Sequence, residues 1–533
     1  MRDRLTVMTV GVLLLVASCS GSGSEGPSAS RTDVGSEDQG DLISGGSVSF
    51  ALAGDPGDLD PWSSLSSANI GIAMFGYDTI VSLDADGQVV PALAESWTAE
   101  GDTWTFVLNP EATCADGSPV DPSLVAENVN YAADPDNGVV MAGVFLPQNA
   151  SAVADDAAGT VAITLAEPAP FFLQGLYGFP IICRAGLDDR STMRGATQGS
   201  GPYVLDEAAP GDSYTYTMRD DYTWGPGGSR TGEPGQPETV TLRVVENETT
   251  VANMLLGDQL NIGSVVGPDV ARLEEAAMFH ADVLSPAGQM FFNQREGMLL
   301  ADEELRRALT MAIDRSELNS VFSGGRGQEP EQLQVFAITC PTASVAENLP
   351  GHDVDGARAL LDEIGWVTGS DGLRAKDGQQ LTVALKYDAG SPQIQSAAEL
   401  AVARWKEIGV EVNAEATDVI GSALFGELEW DIAWQGVGTL NPAALVPFFS
   451  GPTPPDGNNF SGTTNPEYDA LTAEGMTLPA EEGCQYWNDA EASLLRQVNL
   501  VPFSYAVVPT YGNGVTFAIS AGQVQPLSIR QHR

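Results

Sequence analysis

Five cysteines and three histidines are the whole stock of thiol and imidazole side chains in this 533-residue chain. His280, His352 and His532 lie far apart and no CxxC occurs, so the ligand types for a protein zinc site are not assembled at any familiar spacing. A serine hydrolase needs a nucleophile elbow and a histidine to serve it. Neither GxSxG nor HExxH is present, and one histidine is the penultimate residue. Carboxylates are abundant, with 72 Asp and Glu against 24 Lys and Arg, so composition alone leaves a paired-carboxylate hydrolase open. With Cys19 set aside, Cys114, Cys183, Cys340 and Cys484 remain, an even number that reads as disulfides in an exported protein. Four cysteines allow three connectivities.

Cys19 itself is set in a different chemistry. Arg2 and Arg4 precede the apolar run Val7 to Val16, which is too short to span a bilayer and has the length of a signal-peptide core. Val16-Ala17-Ser18-Cys19 resembles the bacterial lipobox, which implies that residues 1–18 are removed and that Cys19 carries the lipid. Residues 19–45 then read as a flexible tether, since Ser20 to Asp41 is rich in Ser, Gly, Asp and Glu and lacks the apolar residues that offset ordering entropy. The net charge of −48 repels nucleic acid and anionic lipid. The expected body is therefore exported, anchored to the outer face of the membrane, and free of nucleic-acid partners.

The elements that must position any site are clearest in the second half. Leu381, Val383, Leu385 and Tyr387 alternate as in a half-buried strand. Ser391-Pro392 opens a helix whose apolar stripe runs from Ile394 through Trp405 to Ile408, with Gly409 as its stop. Val410, Val412 and Ala414 alternate again, so the unit predicts a parallel strand pair with a right-handed crossover. Trp430 to Trp434 predicts a buried strand, Asp302 to Arg315 an amphipathic helix, and Asp355 the cap of a shorter helix, Gly356 to Ile364. The first half reads more as β, with strands at Trp104 to Leu108, Thr160 to Leu165, Tyr214 to Met218 and Val240 to Val244. About 500 mature residues predict two or three lobes.

The order of these pieces resembles the large extracytoplasmic solute-binding proteins of ABC importers, the peptide, opine and nickel-chelate receptors of family 5. Asp58-Leu-Asp-Pro61, Phe75-Gly-Tyr-Asp-Thr-Ile80, Val90-Pro-Ala-Leu-Ala-Glu-Ser-Trp97, Trp104-Thr-Phe106, Asp116-Gly-Ser-Pro119, Ala126-Glu-Asn-Val129 and Gly199-Ser-Gly-Pro-Tyr203 follow in order. Phe292-Asn293, Asp302 to Arg315, Ala359 to Trp366 and Ile408-Gly-Val410 continue the match. The resemblance implies an α/β, two-lobed periplasmic-binding-protein-like fold (type II, in its large cluster C form) with an extra N-terminal subdomain. Carried onto this chain, lobe I is 46–268 plus 506–533, with the subdomain inserted at about 80–190, and lobe II is 269–505. Each of Cys114–Cys183 and Cys340–Cys484 then falls within one half, which favours that pairing.

The implied function is capture of a solute in an interlobe cleft and delivery to membrane permease subunits, by a monomer without a cofactor, a metal or catalytic residues. An extracellular hydrolase, or a sensory or adhesion module on the same fold, are the alternatives. Trp434 and Gln435 begin the segment that lines the cleft in this family. Trp434 is expected to stack on solute, and Gln435, Asn441 and Asn293 to hydrogen-bond it, with Phe75 and Tyr77 closing the opposite wall. Peptide-binding members carry an Asp where Gly438 stands here, and no acid occurs between Asp431 and Asp456. A carboxylate at that place pairs with a peptide ammonium. Its loss points to an uncharged or differently anchored solute.

Overall fold

The computed structural model describes residues 40–335, 338–389, 391–417, 420–426, 429–439 and 441–533. Cys19 and the signal segment lie outside the described residues. From Asp41 onward the chain is already docked rather than tethered. Ile43 N–H donates to Gln531 O at 3.0 Å and Arg533 N–H to Asp41 O at 3.0 Å, so residues 41–43 pair with the C-terminal segment.

The strand–helix–strand unit of the second half forms where its local chemistry places it. Ser391 accepts from Gln393 N–H at 3.2 Å and Pro392 opens the helix Pro392–Glu407. Gly409 follows with φ +85°, a conformation that costs glycine little. The Trp405 indole N–H donates to Leu309 O at 2.9 Å, tying this helix to a neighbour. The flanking strands Thr382–Asp388 and Glu411–Thr417 pair in parallel. Two helix expectations shift by their caps. Asp314 accepts from Ser316 and Glu317 N–H at 3.0 and 3.2 Å, so the single helix expected over Asp302 to Arg315 is two, Glu303–Met311 and Arg315–Phe322. Asp353 rather than Asp355 caps Val354–Glu363, accepting from Gly356 N–H at 2.8 Å.

A mixed sheet of ten strands runs through the molecule in the order Glu411–Thr417, Thr382–Asp388, Ile432–Trp434, Phe279–Phe292, Leu500–Gly512, Ile262–Ser264, Ser47–Leu52, Thr239–Val244, Ser213–Met218 and Tyr203–Ala209. Its two long antiparallel strands, Phe279–Phe292 and Leu500–Gly512, serve both lobes. Phe279–Ser285 pairs with 506–512 on the first-lobe side, and Gly288–Phe291 pairs with 500–504 on the second-lobe side. The register breaks between Ser285 and Gly288, where Pro286 has no N–H to give. A Cβ on Gly288 would lie 2.5 Å from that of Ser504, so the strands approach there only because this residue is glycine. The two halves of this ladder therefore meet at the register break between Ser285 and Gly288. Residues 262–285 still belong to the first lobe's ladder.

The inserted subdomain is a four-stranded antiparallel sheet, Ala94–Glu100, Thr103–Leu108, Thr160–Thr164 and Ser151–Asp155, with helix Pro122–Ala133 packed on it. Cys114 and Cys183 are bonded within this part, and Cys340 to Cys484 within the second lobe.

The helix Cys484–Arg496 carries Glu491, whose carboxylate accepts from Leu333 N–H at 3.1 Å and from the Ser344 hydroxyl. Burial of the carboxyl raises it from the ordinary value to about 7 despite both bonds. In the unfolded chain the same group ionises near its usual value, so between about pH 4.5 and 7 the folded state holds the extra proton. Stability conferred in acid is therefore lost as pH rises through that window. Thermal midpoints measured from pH 5 to 8 are expected to fall, and Glu491→Gln to flatten the fall. An unchanged slope in the variant would refute this assignment.

Candidate functional site

Two cavities hold the chemistry. The first lies inside the first lobe. Helix Ser67–Gly76, capped by Ser66 on Asn69 N–H at 3.2 Å, ends just before Tyr77 and Asp78 and delivers both to the interior. The Tyr77 hydroxyl donates to Leu59 O at 3.2 Å and accepts from Gln198 N–H at 3.0 Å. Gly201 crosses directly over this pair. A Cβ there would stand 2.5 Å from Tyr77 N, which explains the glycine in the Gly199–Tyr203 turn. Asp78 is a hub: it accepts from the Tyr222 hydroxyl at 2.7 Å, the Ser200 hydroxyl at 2.9 Å and the Trp224 indole N–H at 3.0 Å. Burial nevertheless lifts its carboxyl to about 6, against those three donors and the nearby Arg219 guanidinium. Arg219 in turn stacks 5.0 Å from the Trp224 ring.

Above this hub is a cavity of about 420 Å³ whose wall includes Ile70, Met74, Met141, Phe145, Tyr177 and Leu527. It is assembled from the helix, three stretches of the subdomain, the loop at residues 222–229 and the C-terminal segment. Ser520 pins that last segment by donating to Leu83 O at 2.9 Å and Asp84 O at 2.8 Å. Asp78 and Asp84 are its acidic groups, and among the described residues no Lys, Arg or His lines it. The Tyr177 phenol has no hydrogen-bond partner among the described residues, and burial pushes it to about 12.

The second cavity, about 1100 Å³, lies between the lobes against the crossing strands. Residues after the carboxyl ends of Thr239–Val244 and Ile262–Ser264 form one wall. The loop after Arg315–Phe322 and the start of Pro392–Glu407 form the other. That is the place where open α/β sheets present ligand sites. Arg326 of the second lobe reaches Glu274 of the first through two bonds of 2.6 and 3.0 Å. The ion pair holds Glu274 below the usual carboxylate range. On the floor, His280 Nδ1 lies 2.9 Å from Asp282, a hydrogen bond that raises the imidazole.

The residues singled out from sequence are dispersed. Tyr77 lines the first-lobe cavity. Phe75 does not: it is 1% exposed and packs between Tyr203 and Tyr216 at 5.6 and 5.7 Å, because its helix turns that face onto the sheet. Asn293 is also no cleft residue. Its amide donates to Trp430 O at 3.0 Å and accepts from Arg295 N–H at 3.4 Å, closing a strand end. Trp434 is buried among Phe322, Tyr387 and Phe503, and its indole N–H has no partner among the described residues. Gln435 donates to Gly436 O at 2.9 Å, and Asn441 caps the turn Pro442–Leu445 through Ala444 N–H at 3.0 Å. Asp78, Met141, Phe145 and Tyr177 were missed, as were Glu274, His280 and Arg326. Asp78 alone stood in a quoted motif, next to Tyr77.

The subdomain touches the second lobe at Phe171. Phe171, 4% exposed, inserts beside Trp487, with ring centroids 5.7 Å apart, and packs in a cluster with Cys340 and Ala480. The short helix Phe172–Leu176 runs from this residue to Tyr177 on the cavity wall.

Residues 88–456 match the family profile of bacterial extracellular solute-binding proteins, family 5 (middle). Among curated relatives, the nickel-binding periplasmic protein of Escherichia coli K12 is 29% identical over 355 residues, 63% of this chain and 65% of the relative, a little under two thirds of its length. Protein XP55 of Streptomyces lividans is 28% identical over 409 residues, 73% of this chain and 70% of that protein. A substrate-binding protein from Microbacterium hydrocarbonoxydans, solved with 4-hydroxybenzoate hydrazide, superposes with a TM-score of 0.68 at 27% identity, covering 91% of this chain and 99% of its own. The ABC transporter substrate-binding protein CtaP of Listeria monocytogenes shares the fold with a TM-score of 0.77 at 22% identity, covering 92% of this chain and 100% of its own.

Proposed function

Because the chain belongs to the bacterial extracellular solute-binding proteins of family 5, we propose that it captures a small solute outside the cell and hands it to the permease of an ABC importer, anchored through a lipid on Cys19 and acting as a monomer. The first-lobe cavity seats the solute and closure of the lobes secures it. The observation that carries this is the helix Phe172–Leu176, which has Phe171 buried in the second lobe at one end and Tyr177 on the cavity wall at the other. Closing the lobes therefore positions a wall of the cavity. The volume, about 420 Å³, lies within the range of pockets that enclose small ligands. The polar cavity between the lobes favours a second reading, in which the solute sits against His280 and Gln393.

Relatives bear names that speak of nickel, murein peptides and oligopeptides, and one solved relative holds an aromatic hydrazide. A thermal-shift panel spanning these classes tests the proposal, since a ligand that binds only the native state raises the midpoint by mass action. Ile70→Trp, which fills the first-lobe cavity, is expected to abolish the shift, whereas Gln393→Trp is expected to leave it. The reverse pattern transfers the solute to the interlobe cavity. Turnover of a substrate with no solute-induced shift overturns the receptor assignment.

A further inference from the structure

We infer that the Arg326–Glu274 ion pair is a charged latch across the bending point of the two crossing strands, and that it holds the lobes together before any solute arrives. The latch goes beyond the receptor reading and acts whichever cavity seats the solute.

The ladder sets the bending point. Phe279–Phe292 and Leu500–Gly512 pair regularly up to Ser285 with Ala506, and the pairing resumes only at Gly288 with Ser504. Tyr505 stands opposite the break, where Pro286 has no N–H to give. A strand pair flexes where its ladder is interrupted. Tyr505 turns its own backbone outward: its N–H donates to Gln328 O at 2.9 Å, and its carbonyl accepts from Gln328 N–H at 3.0 Å.

The loop after Arg315–Phe322 is thereby fastened at the break, and its other ties belong to the second lobe. Gly325 N–H donates to Ser320 O at 2.7 Å, and the Asn319 side-chain amide to Gly327 O at 3.1 Å. A Cβ on Gly327 would collide with the Asn319 Oδ1, so glycine permits this approach. Arg326 therefore extends from a loop held on both sides of it. Glu274 sits on Val270–Glu275, a helix fixed to the first lobe by Val270 and Leu273, which pack in one cluster with Tyr511. Bending at the break changes the distance between these two mounts, and the ion pair spans it with bonds of 2.6 and 3.0 Å.

The lobes need such a contact, because a net charge of −48 opposes bringing them together. Both partners are a little under half exposed. The pair is therefore open to screening and shifts an equilibrium by about two- to fivefold. That biases the lobes toward closure without locking them, so solute still enters and leaves. A ligand that needs the closed state gains apparent affinity by the closed fraction the latch adds.

The test is small-angle scattering of the solute-free full chain as parent, Glu274→Arg, Arg326→Glu and the doubly swapped protein. Each single reversal replaces attraction by repulsion. It is expected to lower the closed-to-open ratio on the order of tenfold at low salt, read as a larger radius of gyration. The double swap restores the pair and the parent's radius, and high salt narrows the gap between the single variants and the parent. The two reversals move net charge in opposite directions, so expansion in both isolates the pair from overall repulsion. Contraction in Glu274→Arg with expansion in Arg326→Glu shows that net charge alone governs closure and overturns the latch. Identical scattering of all four proteins overturns it as well, as does a double swap as expanded as the singles. Thermal midpoints check that each protein is folded; where a reversal unfolds, Glu274→Gln and Arg326→Gln carry the same comparison at a smaller expected expansion. The measurement uses no solute, so its failure leaves the receptor reading standing.

Discussion

An Arg306→Ala protein is expected to lose on the order of 3–5 kcal/mol of unfolding free energy, the largest effect of any single truncation argued for this chain. Arg306 is 4% exposed. Its guanidinium donates to four backbone carbonyls: Val498 at 2.8 Å, Leu300 at 2.9 Å, Ala301 at 3.1 Å and Gln497 at 2.8 Å. Burial lowers its pKa to about 10, so it remains protonated at neutral pH. The group stitches helix Glu303–Met311 to the turn that feeds the crossing strand Leu500–Gly512. Alanine leaves these carbonyls without a donor, at about 1–3 kcal/mol for each that water cannot reach. Arg306→Lys, a point charge without the planar fork, is expected to recover only part of the loss. Urea denaturation of the two variants measures it; a loss below about 1 kcal/mol for alanine would show that water replaces the guanidinium freely.

Where the fold could be read from sequence, the signal was local. Ser391, Pro392 and Gly409 each act within a turn of their own position, and the helix between them forms as its sequence dictates. The expectation for Asp302 to Arg315 failed for an equally local reason. The apolar stripe continues through Leu309 and Ala312, but Asp314, which accepts from Ser316 and Glu317 N–H, restarts the helix. The lobe boundary was harder, because Phe279–Phe292 is a single continuous strand with a foot in each lobe and no composition change marks it.

The candidate site was mostly illegible. Its wall gathers Ile70, Met141, Tyr177 and Leu527, which are brought together by the subdomain insertion and the C-terminal return, and no periodicity links them. The amides chosen from sequence satisfy neighbouring backbone, as buried polar groups generally must. Phe75 and Tyr77 sit two residues apart, yet the helix ends between them, so one faces the sheet and the other the cavity.

Phe171→Ala is expected to weaken solute binding by up to roughly 30-fold, although Phe171 is not among the residues that line the cavity. Burial of a phenylalanine side chain stabilises by about 1.5–3 kcal/mol, and an aromatic pair adds about 0.5–1.5 kcal/mol. Here both are spent between lobes, on Trp487 and the cluster around Cys340, so their loss falls on the closed arrangement and not on either lobe alone. A ligand that needs the closed state binds more weakly by the fraction of protein that remains closed. Three readouts separate this from simple damage. The unfolding midpoint without solute should change little, the solute-free radius of gyration in solution scattering should rise, and the solute off-rate should rise more than the on-rate falls. Phe171→Leu, which keeps most of the buried area without the ring, should lie between. If the alanine variant binds solute as the parent does and scatters identically, Phe171 is packing alone, and the coupling through Phe172–Leu176 to Tyr177 is refuted.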